Sequence, residues 1–279
     1  MPETGSFNPS GAKNCEMKSE IIIATEDDLA CIRTWLREER DQGERGFKCN
    51  WSIIEEGFTE GRLVVIRDPQ SAVAVAFRVG GLLSPSIMEV HPSHRKRGYG
   101  AEIVEYFIEQ ARKESVNVLV VQCQPRTSIP FWKAMGFTLY GEAFGPKIDS
   151  YYERHAFKVL KYDLPISESG VPTLVNIEFR EDREILTPFE SRPVRGRWVD
   201  NTIHLEERLV AYFPFRIGCG DVYCRIRVGD IEVYSDKMKR DRFREIGFRY
   251  EEHSAAYFSD KILIGAKAAS NANSHTGDS

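Results

Sequence analysis

No apolar run in this 279-residue sequence approaches the roughly 20 residues needed to span a bilayer. The first residues, MPETGSFNPSGAKNCEMKSE, lack the apolar core of a secretory signal. Strong charge is also lacking. A net charge of −4 argues against a general nucleic-acid coat or a basic membrane binder. The six cysteines are scattered, and only Cys219 and Cys224 lie close together, which is a weak metal signal. Small buried thiols are the expectation, with no metal. There is no internal repeat and no heptad pattern. These absences point to a cytoplasmic protein with reduced thiols, no membrane contact and no general nucleic-acid binding.

What is present is globular. Hydrophobic residues make up 42% and charged residues 29% of the chain. The length suits one large domain or two ordinary ones. Residues 1–17 are rich in Gly, Pro, Ser and Asn, the tail 268–279 (AASNANSHTGDS) is made of small and polar residues, and both are expected to be disordered. A Pro/Ser/Gly stretch at 165–172, PISESGVP, reads as a linker. It separates a first domain, 18–165, from a second, 173–267.

Periodicity predicts the elements of the first domain. IIIA (21–24) reads as a strand. TEDDLACIRTWLREER follows as a helix with Thr25 as N-cap, acids in the first turn, and Leu29, Ile32, Trp35 and Leu36 on one face. A second helix is expected at 50–58. Strands are expected at 62–68, 72–80 and 86–90, with Pro85 suggesting an edge or bulge before the last. Ile103, Val104, Phe107, Ile108 and Ala111 then share a helical face. VNVLVVQC (116–123) has the continuous apolar, β-branched character of a buried strand. A short helix at 128–135 and two strands, FTLYGEA and HAFKVLKYDL, close the domain. The order is β-α-α-β-β-β-α-β-α-β-β.

The chemistry concentrates in EVHPSHRKRGYG (89–100), which joins a strand to a helix. First-turn N–H groups have no intrahelical acceptor, and the aligned peptide dipoles add positive potential there. Gly98 and Gly100 allow a ligand close to the backbone. Arg95 and Arg97 could add forked hydrogen bonds to phosphate oxygens. The ligand implied is a diphosphate or another compact anion.

The pattern V-x-P-x-x-R-x-x-G-x-G (Val90, Pro92, Arg95, Gly98, Gly100) resembles the acetyl-CoA signature of the GNAT superfamily of N-acetyltransferases. PFWKAMGF (130–137) resembles the second landmark of that family, and the element order is similar too. The resemblance covers about residues 18–165. It implies an α/β (α+β) fold, a mixed, mostly antiparallel sheet flanked by helices, here with a smaller β-rich C-terminal domain. It also implies acetyl-CoA as co-substrate and an amine acceptor. A homodimer is compatible with it.

Carried over by position, the resemblance places the CoA diphosphate on the backbone of Arg95, Lys96, Arg97, Gly98, Tyr99 and Gly100. It makes the Val90 N–H the group that polarises the thioester carbonyl. Glu89 is the nearest carboxylate and the expected general base, with His91 and His94 as alternatives. Many similar enzymes use a tyrosine of the second landmark to protonate the leaving thiolate. Trp132 stands there instead, and Pro125 replaces a common asparagine. An indole is not a useful proton source. Tyr140 is the expected donor, with Tyr151, Tyr152 or unassisted departure of the thiolate as alternatives, while Trp132 is expected to pack against the cofactor arm or the core. The competing expectation is a module that binds an acyl-CoA without turnover. Residues 173–267 carry short β-like alternations in NIEFRE, TIHLEERLVAYF, VYCRIRVGDIEVYS and KILIGA, and one helix-like segment, KMKRDRFREIGF (237–248). They suit a small β-rich or α+β domain.

Overall fold

The computed structural model describes residues 19–43, 46–81, 86–144, 150–166, 168–181, 190–214 and 222–264. Pro85, Cys15, Cys219 and both predicted disordered tails lie outside the described residues, as do the side chains of Ser150 and Tyr151. Contacts divide the chain into two compact units, residues 1–80 with 87–106, and residues 81–86 with 107–279. This division by packing is not the division by sequence texture at 165–172. Among the described residues no helix is long and apolar enough to cross a membrane.

The first unit is an antiparallel sheet in the order β1-β2-β3-β4, formed by Ile21–Ile23, Leu63–Arg67, Ala74–Val79 and Ile87–Val90. Helices α1 (Glu26–Asp41) and α2 (Trp51–Thr59) connect β1 to β2. The start of α1 follows from local chemistry. Thr25 accepts a hydrogen bond from Asp28 N, and Asp28 Oδ2 accepts from Thr25 N at 2.8 Å. This reciprocal pair satisfies two groups that the helix itself cannot. Strand alternation then separates two cores. Ile87 and Phe77 pack with Ile32, Trp35, Leu36 and Ile54 from the helices. Met88, Val90 and Ala76 pack instead with Tyr99 and Ile103, from the first turns of α3 (Tyr99–Lys113).

The second unit begins in the last turns of α3 and contains two sheets. One has the order β5-β7-β6, from Val118–Gln122, His155–Val159 and Thr138–Leu139. The other is seven-stranded, in the order β12-β11-β8-β9-β10-β14-β13. Its strands are β8 (Val171–Arg180), β9 (Glu190–Val199), β10 (Thr202–Tyr212), β11 (Tyr223–Val228), β12 (Ile231–Lys237), β13 (Arg249–Glu251) and β14 (Ala256–Leu263). The sheets share a core: Val118, Phe157 and Val159 pack with Val210, Tyr212, Ala256 and Phe258. A buried polar network reinforces that contact. Asn117 is fully buried and donates from its backbone and side chain to Glu251 Oε1, at 3.0 and 2.9 Å. Its Oδ1 accepts from Arg208 at 3.2 Å, and Arg208 makes a forked pair with Asp260 at 2.6 and 3.1 Å. Every member is satisfied, which buried polar groups require.

The element order of the first half is as the periodicity predicts, with two differences, and the second half has a third. FTLYGEA is a strand only at Thr138–Leu139; Tyr140–Phe144 is a short helix, α5, after α4 (Ile129–Ala134). Its rings fill a pocket among Phe157 and Tyr212, so packing overrides the aromatic strand preference. HAFKVLKYDL is strand only at His155–Val159, and the helix predicted at 237–248 is α6, Arg240–Glu245. Strand β9 escapes the sequence reading because Pro193 and Gly196 break its pattern. At Pro193 the ladder runs to β8, while pairing with β10 is confined to Gly196–Val199, so the missing N–H costs no bond on that side. At Gly196 a Cβ would come within 2.6 Å of His204 O, so only glycine lets β10 approach.

Candidate active site

Strand β4 ends at Val90, a single 3-10 turn spans Pro92–His94, and α3 starts at Tyr99. The turn between them is shaped by two left-handed residues, Lys96 at φ 66° and Gly98 at φ 97°. Left-handed and right-handed residues in succession curl the backbone so that its N–H groups point inward at one spot. The N–H groups of Lys96, Arg97, Gly98, Tyr99 and Gly100 make no hydrogen bond among the described residues. Five consecutive free donors thus stand at the start of a 15-residue helix, an arrangement that backbone alone could offer to an anion. Lys96 and Arg97 are exposed beside it and make no ion pair among the described residues.

The Arg95 side chain does something else. Its guanidinium donates to Val90 O at 3.1 Å, to Glu39 Oε1 at 2.7 Å and to Glu89 Oε1 at 3.5 Å. Arg95 thereby ties the turn to α1 and to the end of β4. Glu89 sits on the α1/α2 face of β4, because it is directly opposite Phe77. Its side chain is 10% exposed, and it also accepts from Phe47 N at 3.4 Å. Glu39 was not anticipated, although a signal existed. It lies on the same helical stripe as Ile32, Trp35 and Leu36, where a carboxylate must find a partner.

Among the described residues, the backbone of β4 has no partner strand on one side. Strand β4 is the terminal strand of its sheet, and His91 N donates to Val75 O of β3 at 2.8 Å. Alternation then directs the Val90 N–H to the opposite, unpaired edge. His91 lies against Trp35, with ring centroids 4.9 Å apart. Ser93 Oγ lies 2.8 Å from His91 Nδ1 and 3.0 Å from His94 Nδ1. Burial first, then His94, holds the His91 pKa below its ordinary value, favouring the neutral imidazole. A cleft of about 370 Å³ opens here, lined by Cys31, Thr34, Trp35, Glu38, His91 and His94 among others. Among the described residues no group of three or more His, Cys, Asp or Glu side chains could hold a metal.

The remaining expected site residues lie in the second unit. Trp132 is half-buried and packs edge-on against Phe131 and Phe137, at 5.2 and 5.1 Å between centroids. Tyr140 is 4% exposed, and its hydroxyl lies 2.5 Å from that of Tyr212. Burial raises the Tyr140 pKa. A buried phenol already paired with another is a poor proton source for a thiolate, and the geometry gives Tyr140 a packing role in its unit.

Comparison with known proteins bears on this geometry. Residues 32–137 match the model of the acetyltransferase (GNAT) family. The GNAT match begins within α1 and ends at Phe137, so it contains this turn, Glu39, Glu89 and Trp132. Among solved structures, the chain is similar to a GNAT-family acetyltransferase from Staphylococcus aureus, with 12% identity, TM-score 0.38, and coverage of 50% of this chain and 98% of that one. A GNAT-family N-acetyltransferase from Escherichia coli in complex with CoA gives 12% identity and TM-score 0.38, over 56% and 85% of the two chains. A phosphinothricin acetyltransferase from Sinorhizobium meliloti in complex with AcCoA gives 17% and 0.37, over 50% and 86%. No curated protein matches the sequence.

Proposed function

We propose that this chain is an acetyl-CoA-dependent N-acetyltransferase that transfers acetyl to an amine. The observation that carries the reading is the run of five unsatisfied N–H groups from Lys96 to Gly100, directly after a strand with an open edge. The cradle suits the CoA diphosphate, since it offers donors without needing a side chain. The open edge of β4 suits the pantetheine arm, which carries amides that can pair as an added strand. The Val90 N–H is then aimed where the thioester carbonyl oxygen would gather charge.

In the reaction, the neutral amine nitrogen attacks the thioester carbon, the C–S bond breaks, and an amide and the CoA thiolate form. Glu89 takes the amine proton directly or through water; His91, held neutral, is the alternative. The thiolate leaves without a tyrosine, which a thiol pKa of about 8.5 permits. A cytoplasmic setting and a homodimer belong to this proposal, the latter checked by light scattering. So does the assignment of residues 18–165 as the acetyltransferase domain, with 173–267 as its C-terminal companion.

Calorimetric titration with CoA tests the reading, and absence of binding at millimolar ligand would sink it. A second reading is an acyl-CoA-binding module without turnover, favoured by Trp132 at the usual tyrosine position and by the buried Tyr140. Steady thiol release from acetyl-CoA with a panel of amines excludes it. Glu89→Gln should slow that release while leaving CoA affinity intact.

A further inference from the structure

The second unit holds a cleft of about 390 Å³ that the acetyl-transfer reading leaves unused. It opens where the short strand β6 ends, beside Lys158 to Lys161 of the chain leaving β7. Its floor is apolar, from Phe157, Val159 and Leu160. Three cations line it, Arg112, Lys158 and Lys161, and no carboxylate does. None of the three makes an ion pair among the described residues. Elsewhere in the unit, arginines such as Arg208, Arg225 and Arg227 each face a carboxylate.

Lys158 is also held in place. Lys158 Nζ donates to Met135 O at 2.6 Å and lies 5.9 Å from the centre of the Phe137 ring. Gly136, at φ 79°, makes room for it, since a Cβ there would sit 2.9 Å from the ammonium. Burial, then Arg112, lowers the Lys158 pKa. Positive charge gathered without a counter-charge in a concave, apolar-floored site costs free energy that a bound anion would recover. The volume is in the range of small-molecule sites.

We propose that this cleft binds a small organic anion, its charged head held by Arg112, Lys158 and Lys161 and its apolar body resting on Phe157 and Leu160. The inference does not rest on acetyl transfer. Phenyl phosphate serves as the probe, titrated calorimetrically into the full chain at low ionic strength with CoA saturating, so that the cradle at Lys96–Gly100 is blocked. Phenyl phosphate is expected to bind more tightly than inorganic phosphate. The double substitution Arg112→Gln with Lys161→Gln, at two exposed positions, should weaken it about tenfold and leave CoA affinity unchanged. Equal affinity in that variant, no binding of phenyl phosphate, or a parallel loss of CoA binding would each overturn the proposal.

Discussion

The turn at Lys96–Gly100 and the network around Asn117 treat polar groups in opposite ways. At the turn, five backbone donors have no partner among the described residues. Around Asn117, a buried amide, two carboxylates and a guanidinium are fully matched. A donor near solvent can wait for a ligand at little cost, because water satisfies it meanwhile. A buried donor cannot, because an unmatched polar group there costs about 1–3 kcal/mol. The first arrangement is therefore built for binding and the second for holding sheets together.

Four expected outcomes probe that contrast. Removing one buried partner should have the largest effect. Glu251→Ala leaves the backbone and side-chain N–H donors of Asn117 without their acceptor and is expected to cost about 3 kcal/mol, read as a lower urea midpoint, with CoA affinity of the folded protein unchanged. At the turn the pattern should invert. Gly98→Val, which forces a β-branched residue to φ 97°, is expected to weaken CoA binding at least tenfold in calorimetry while lowering stability by about 1–2 kcal/mol.

A third outcome concerns Asp28 in the first unit, which pairs with Arg67 at 2.7 Å. Burial alone would raise its pKa, but hydrogen bonds from Arg67 and Thr25 outweigh that and hold it below the usual carboxylate range. A depressed folded pKa contributes stability that is present above the unfolded value, 3.8, and is lost as pH falls through the folded one. Asp28→Asn should flatten stability against pH below about pH 5, by about 1 kcal/mol, in thermal unfolding at several pH values. The smallest effect is reserved for exposed charge. Arg97→Ala should weaken CoA only a few-fold, and the difference should shrink as salt rises. A large, salt-insensitive loss would mean that the side chain, not the backbone, holds the ligand.

Much of the first half was legible because its signals are local. Thr25 with Asp28, the apolar stripe of α1, and the glycines after a strand each act within a few residues. Arg95 was legible as a residue, but its protein partners were not. Its turn toward Glu39 depends on α1 passing 56 residues away in sequence, which periodicity does not reveal. Tyr140 was read as a reactive group because tyrosine can donate a proton. Its burial against Tyr212 depends on a strand 72 residues later. Strand β9 hid behind Pro193 and Gly196, which make sense only beside β8 and β10.

By itself the sequence determined where a glycine-containing turn leads from a strand into a helix start, since glycine placement, strand-to-helix order and helix polarity are properties of neighbouring residues. Only the tertiary structure decided which side chains serve it. It turned Arg95 into a brace, buried Tyr140 and Glu39, and gathered Arg112, Lys158 and Lys161 around one cleft. The physical reason is range. Backbone conformation is set over a few residues, whereas burial and charge pairing are set by whatever distant segment the fold brings alongside.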